Sequence, residues 1–438
     1  MRSAPGLIIA APASGCGKTV VTLALLRAFR NAGAAVASAK AGPDYIDPAF
    51  HAAASGRPCV NLDIWGMRDE TLAGLAGAAG RDAELVLCEG VMGLFDGAAD
   101  GTGATADLAA RTGWPVLLVL DVSGQAASAV AVYEGFARHR RDVDVAGVLC
   151  NRTGGPGHAR MLRDALAKAD PAPAFAGMLP RDPALALPER YLGLVQAREH
   201  GALENFLEHA AAIAADHLDL AAIRSLARPC ACDPGDVRPL PPLGQSIAVA
   251  RDDAFAFAYP AVLEGWRRAG AALSFFSPLA DEAPAADADA VYLPGGYPEL
   301  HAGRLAANGR FRDGLRAAAA RRAAVYGECG GYMALGAGLV DGSGARHAMA
   351  GLLPLETSFA DSRLHLGYRR LKTLRRSALG APGARFTGHE FHYASVLTEG
   401  PGDPLFRAND ARGEQDAECG MAAGTVAGSF VHLIDCAA

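Results

Sequence analysis

Gly6-Leu-Ile-Ile-Ala-Ala-Pro-Ala-Ser-Gly-Cys-Gly-Lys-Thr19 is followed at once by Val20–Asn31, an apolar-periodic run that stops near Gly33. The stretch reads as a short buried strand, a glycine-bearing loop and a helix. In that order, Gly17-Lys18-Thr19 opening a helix is the context of a phosphate-binding loop. Free N–H groups at the helix start cradle phosphate oxygens, with Ser14, Gly15 and Gly17 shaping the cradle. Lys18 reaches the outer phosphates, and the Thr19 hydroxyl is placed to ligate Mg²⁺. The usual spacing would put a glycine at Pro12, so the match rests on context as well as on letters.

Outward from the loop, apolar runs alternate with helical patterns, which implies a parallel sheet. Ala34–Ala41 ends at Gly42-Pro-Asp44-Tyr-Ile-Asp47-Pro48, and Glu84–Glu89 ends in an acid before Gly90. Ligands bind at the carboxyl ends of such strands. One acid there is ordinarily turn chemistry. Asp44 and Glu89 together, beside a phosphate loop, point to Mg²⁺ coordination with Thr19. Asp47 stands close enough in sequence to position substrate or metal. Val116–Asp121 and Val145–Cys150 continue the alternation; Asn151, after the second, suits either a nucleotide base or a turn before Gly154-Gly155. Helical patterning over 197–226 closes a first domain, 1–227. Residues 228–245, rich in proline and without periodicity, read as a linker.

A second domain, 246–438, begins at Ser246-Ile-Ala-Val-Ala-Arg251. Its decisive stretch is Tyr326-Gly-Glu-Cys329-Gly330-Gly-Tyr-Met333, an apolar strand running through a glycine-flanked cysteine into a helix start. That pattern is either a nucleophile elbow or a buried cysteine in a tight turn. In the elbow, a helix N-terminus is expected to lower the thiol pKa. One strand–helix unit earlier, Gly295-Gly296-Tyr-Pro-Glu299 exposes backbone N–H groups at a strand end, as an oxyanion hole requires. Of the six later histidines, 301, 347, 365, 389, 392 and 432, those at strand-like positions, His389, His392 and His432, are the candidate bases, and spacing does not choose among them. Arg363–Arg376 is the most basic stretch and reads first as a solvated strand face.

With 438 residues, 51% hydrophobic and 20% charged, the chain supports two or three folded domains. A net charge of -6 gives nucleic-acid binding no support. Nine cysteines, an odd and scattered number, do not suggest a disulfide framework. No run approaches the roughly 18 apolar residues of a membrane span, so a cytoplasmic protein is expected.

The motifs Pro12–Thr19, GPDYIDP (42–48), EGVMGLFDG (89–97), GGYPE (295–299), ECGGYM (328–333), Gly388–Tyr393 and the late Val-His432-Leu together resemble the cobyrinic acid a,c-diamide synthase family, including its hydrogenobyrinic acid branch in vitamin B12 synthesis. The resemblance spans the chain. It implies a dethiobiotin-synthetase-like P-loop domain joined to a class I, flavodoxin-like glutamine amidotransferase domain. ATP, glutamine and a corrinoid polycarboxylate are its implied substrates, and it leaves room for a homodimer. It implies Cys329 as glutaminase nucleophile, His432 as base, and Gly296 and Gly330 as oxyanion donors. Triad enzymes often carry Glu two residues after the histidine, and this family often His; here Ile434 stands there, with Asp435 or a backbone carbonyl as substitutes. His is expected at Tyr191 and Ser at Ala394. The rival readings are a cobyric acid synthase, against which GPDYIDP and the length argue, and a partitioning-type P-loop ATPase. The latter usually has an extra lysine where this chain has Ala13.

Overall fold

The structure, a computed structural model, describes residues 4–190, 193–232, 237 and 239–437. Two compact units divide the chain. One comprises Met1–Trp65 and Asp69–Asp236; the other comprises Gly66–Arg68 and Val237–Ala438. The expected linker is anchored at both ends. Arg228 exchanges backbone hydrogen bonds with Gly6, and Ala231 N–H donates to Thr112 in the first unit. In the second, Pro239 accepts from Cys436 and Pro241 from the Trp266 indole. Its residues 233–236 and 238, and Tyr191, lie outside the described residues.

The first unit is built on seven parallel strands: β1 (Gly6–Ala10), β2 (Val36–Ala41), β3 (Val60–Leu62), β4 (Leu85–Glu89), β5 (Val116–Asp121), β6 (Gly147–Thr153) and β7 (Ala174–Pro180). Their order across the sheet is β3-β2-β4-β1-β5-β6-β7. All residues of β1 and β4 are buried, as a parallel sheet covered on both faces requires. β3, at the edge, has three residues, too few for its pattern to stand out in the sequence. The helical stretch at 197–226 is broken: helix Leu203–His217 ends at Leu218, and Asp219 caps Leu220–Leu226 by accepting from Ala222 N–H at 2.8 Å. Helix α1 (Lys18–Asn31) packs on Leu203–His217, where the buried Arg27 guanidinium reaches Glu204 and Glu208 at 2.9 and 2.7 Å. Those ion pairs fix the face of the helix that begins in the phosphate loop.

The second unit has a ten-stranded mixed sheet. Its parallel part takes the strands Ala272–Phe276, Ser246–Ala250, Ala290–Leu293, Ala324–Glu328 and Val426–Ser429 in that spatial order. Numbered within the unit this is 2-1-3-4-5, the flavodoxin-like order. Beyond it the sheet turns antiparallel through Asp416–Ala423, Asp403–Asp410, His365–Thr373, Arg385–His392 and Val431–Cys436. The basic stretch is strand His365–Thr373 of this sheet, half of it exposed. Gly66–Arg68 belongs here through Arg68, whose backbone N–H and guanidinium hold Asp435 at 2.9–3.2 Å, and through Gly66, whose carbonyl accepts from the Thr387 hydroxyl.

Candidate active site

In the first unit, β1 delivers the loop 12–17 to the start of α1. Gly17 sits at φ 89° and Gly15 at φ 78°, both left-handed, so the loop turns its N–H groups outward at no steric cost. Lys18 Nζ donates to the carbonyls of Met92 and Ala13 at 2.5 and 3.3 Å, and burial draws its pKa down. Asn151, on β6 opposite the last residue of β5, donates its amide to the Cys16 carbonyl at 2.9 Å and so braces the loop. Beside it lies a cleft of about 390 Å³ whose lining includes Gly17, Val20, Asn151, Arg181 and Pro183.

The acids converge on a group that the sequence reading passed over. Lys40, on β2, is buried, and its ammonium lies 2.6 Å from Asp47, 2.8 Å from Glu89 and 3.8 Å from Asp44. Glu89, wholly buried, also accepts from the Thr19 hydroxyl at 2.7 Å and meets His51 Nε2 at 2.6 Å. Burial alone would neutralise these groups; the Lys40 charge and the His51 hydrogen bond hold Glu89 well below the carboxylate range. Burial likewise works against Lys40, and Asp47, Glu89 and Asp44 outweigh it, so its pKa rises well above the usual lysine value. Asp47 is pushed up to about 7 by burial and then by the Asp44 charge. Asp44 divides its roles: Oδ1 accepts from the N–H groups of Ile46 and Asp47, the turn chemistry weighed above, while Oδ2 faces Lys40. A charged residue inside the buried strand VASAKA was the signal for Lys40, because such a charge needs partners.

In the second unit, Cys329 sits at φ 47°, ψ −107°, a strained conformation between strand Ala324–Glu328 and helix Gly330–Leu335. The elbow geometry is thus present. A β-carbon on Gly295 would lie 2.3 Å from His432 Cε1 and 3.1 Å from Cys329 Cβ, so cysteine and histidine flank this glycine. One on Gly330 would lie 3.0 Å from the Gly296 nitrogen, which puts the two expected oxyanion donors side by side. The remaining histidines separate by position. His389 lies opposite His432 on the neighbouring strand, His392 pairs with Glu390 at 3.0 Å, His365 stacks on His392, and His347 pairs with Asp341 at 2.7 Å.

Two expectations are corrected. The thiol pKa is raised: burial is the main cause, the charges of Glu299, Glu390 and Glu328 add to it, and the Gly330 N–H opposes it. A six-residue helix supplies too weak a dipole to reverse that. His432 is lowered to about 3, first by burial and then by His389 and His392. Both shifts favour a neutral thiol beside a neutral imidazole. Asp435 does not orient His432: its carboxylate is taken up by Arg68, with both residues tied into the strand edge. The Phe257 backbone, which pairs with Gly295, raises the imidazole pKa against that burial, and the Phe257 ring lies 6.4 Å from the His432 ring.

Two family profiles divide the chain along the same lines. Residues 7–194 match the CobQ/CobB/MinD/ParA nucleotide binding domain, and residues 246–436 match the CobB/CobQ-like glutamine amidotransferase domain. A nucleotide-binding half and an amidotransferase half in one chain make a glutamine-dependent amidating ligase. The hydrogenobyrinate a,c-diamide synthase of Brucella anthropi is 56% identical over 98% of each chain, that of a Sinorhizobium species 56% over 99% of each, and that of Rhodobacter capsulatus 53% over 98% of each. The chain belongs to the hydrogenobyrinate a,c-diamide synthase family of cobalamin biosynthesis. Among the described residues, no helix is long and apolar enough to cross a membrane.

Proposed function

We propose that this protein amidates the c and then the a side-chain carboxylate of hydrogenobyrinic or cobyrinic acid, with ATP and glutamine as co-substrates. The observation that carries this reading is the 53–56% identity to synthases of that name over nearly the whole chain. In the amidotransferase unit, Cys329 Sγ attacks the glutamine side-chain carbonyl carbon while His432 takes the thiol proton. The N–H groups of Gly296 and Gly330 receive the oxyanion, and His432 returns the proton to the departing ammonia. Water then cleaves the thioester, and glutamate leaves. A neutral base and a neutral thiol suit this sequence, since the proton moves as the S–C bond forms.

A free carboxylate is a poor acceptor for ammonia because an oxide must leave. Transfer of the ATP γ-phosphoryl to the corrin carboxylate gives an acyl phosphate, from which ammonia expels phosphate. Ser14, Gly15 and Gly17 line the phosphate cradle, Lys18 neutralises the outer phosphates, and Asn151 fixes the loop and the edge of the base cleft. Asp44 and Glu89, which face the Lys40 cation, and Thr19, which donates to Glu89, are hard oxygen donors that fit Mg²⁺. Bound there with ATP, Mg²⁺ would supply charge neutralisation at the phosphates. Asp47 is assigned with them, to substrate or metal. The same reading takes the enzyme as cytoplasmic, independent of nucleic acid and compatible with a homodimer; the net charge of -6 supports the second point.

The test compares nitrogen sources. Cys329→Ser abolishes glutamine-dependent amidation and keeps ammonia-dependent amidation, whereas Glu89→Gln impairs both because it acts at the shared synthetase site. Loss of both activities in Cys329→Ser would sink the two-site scheme. Mass spectrometry of the products from hydrogenobyrinic and cobyrinic acids, each with ATP and glutamine, identifies the preferred corrin and the order of amidation.

A further inference from the structure

Cys329 and His432 come from strands that are not hydrogen-bonded neighbours: Ala324–Glu328 pairs with Ala290–Leu293 and Val426–Ser429, and Val431–Cys436 with Arg385–His392. The position two residues past the histidine, where a triad enzyme carries an acid, is the buried Ile434. Something else must hold the two strands in register. The residue directly before the nucleophile, Glu328, points its carboxyl group into the interior and is 3% exposed. Its Oε1 accepts from the backbone N–H of Leu433, the residue directly after the base, at 3.2 Å. Its Oε2 accepts from the Tyr292 hydroxyl at 2.7 Å. Among the described residues no lysine or arginine pairs with it, and burial pushes its pKa up to about 7. A buried carboxyl group without a cation is costly, and a core strand serving only as scaffold would carry an apolar residue here.

We propose that Glu328 is a positioning residue for the glutaminase. By bridging the neighbour of the nucleophile to the neighbour of the base, it sets the Cys329–His432 distance from the nucleophile's side, in place of an acid beyond the histidine. The proposal rests on the assignment of Cys329 and His432 made above. Tyr292 fixes the carboxyl rotamer, so the bridge is itself held from the adjacent strand.

The experiment compares Glu328→Ala, Glu328→Gln and Cys329→Ser in the full chain, reading kcat and KM for glutamine and, separately, ammonia-dependent amidation. Glu328→Ala is expected to lower the glutamine kcat on the order of tenfold to a hundredfold, the scale of a small misplacement of reacting groups, with KM for glutamine and the ammonia-dependent rate within about twofold of wild type. Glu328→Gln keeps an oxygen for Leu433 N–H and, after the Tyr292 hydroxyl turns to accept, restores most of that kcat. A wild-type kcat in Glu328→Ala, or a matching fall in the ammonia-dependent rate, overturns the proposal. If the alanine variant does not fold, Glu328→Gln decides: a glutamine kcat within about threefold of wild type supports the bridge, and a larger fall overturns it. Cys329→Ser separates the two levels, because glutamine-dependent turnover surviving in it would refute the nucleophile assignment itself.

Discussion

Cys329 and Lys40 show how far a side chain's surroundings can reverse what its neighbours in sequence suggest. A thiol at a helix start reads as activated, yet burial and three nearby acids raise its pKa. Its thiolate fraction therefore keeps growing as pH rises through and beyond the ordinary thiol range. Alkylation of Cys329 by iodoacetamide, followed by mass spectrometry, is expected to accelerate up to at least about pH 9 without a plateau. A plateau near pH 6–7 would instead mark a resting thiolate–imidazolium pair. Lys40 was legible in principle, since a charge within a buried strand demands partners, but nothing local says which. Asp47 and Glu89 reach it from seven and forty-nine residues away. The cysteine, the phosphate loop and its acids could be named from motif spacing, because each motif is a short piece of chain with its chemistry inside it; His432 came only from the family resemblance, since spacing does not choose among the histidines. Glu328 was part of a quoted motif and still gave no signal, because its partner, Leu433, is 105 residues on.

At the scale of elements, the elbow depends on close backbone approach. A β-carbon on Gly331 would lie 2.0 Å from the Leu293 carbonyl oxygen, and backbone atoms on a buried strand cannot give way cheaply. Gly331→Ala is expected to cost about 2–3 kcal/mol, read as a lowered midpoint in chemical denaturation. Gly309→Ala, where an added β-carbon meets nothing within 4 Å, should be neutral within about 0.5 kcal/mol. The alternation of apolar runs and helical patterns was sufficient to read the parallel sheet of the first unit, because its covered strands are apolar throughout; the second unit's sheet came from the family resemblance. The alternation was insufficient for the antiparallel half of the second sheet. Strands such as Asp416–Ala423 are half exposed, and their periodicity is diluted by charge and glycine.

For the whole molecule, the two units are unequal in how they are written along the chain. The amidotransferase unit includes three residues, Gly66–Arg68, from between β3 and helix Asp69–Ala79 of the other. Asp435, with no exposed surface, takes a countercharge from Arg68 at 3.0 Å. Arg68→Ala is expected to destabilise the amidotransferase unit by about 2 kcal/mol, the scale of charged hydrogen bonds lost at a buried acceptor. A lowered denaturation midpoint of the transition that abolishes glutamine hydrolysis reads it out. An unchanged midpoint would show that Asp435 is satisfied without the guanidinium.

That inserted tripeptide also constrains the gene. A break at the 236/237 boundary would seem the natural way to split such a protein into two polypeptides, each with one activity. The downstream product would then carry Asp435 without the Arg68 guanidinium, and the upstream product would carry Gly66–Arg68 apart from the sheet whose Asp435 and Thr387 they hydrogen-bond. Fission of this gene into stand-alone synthetase and glutaminase subunits therefore takes the Arg68 hydrogen bonds from a buried carboxylate, a cost that a change at position 435 or its surroundings would offset.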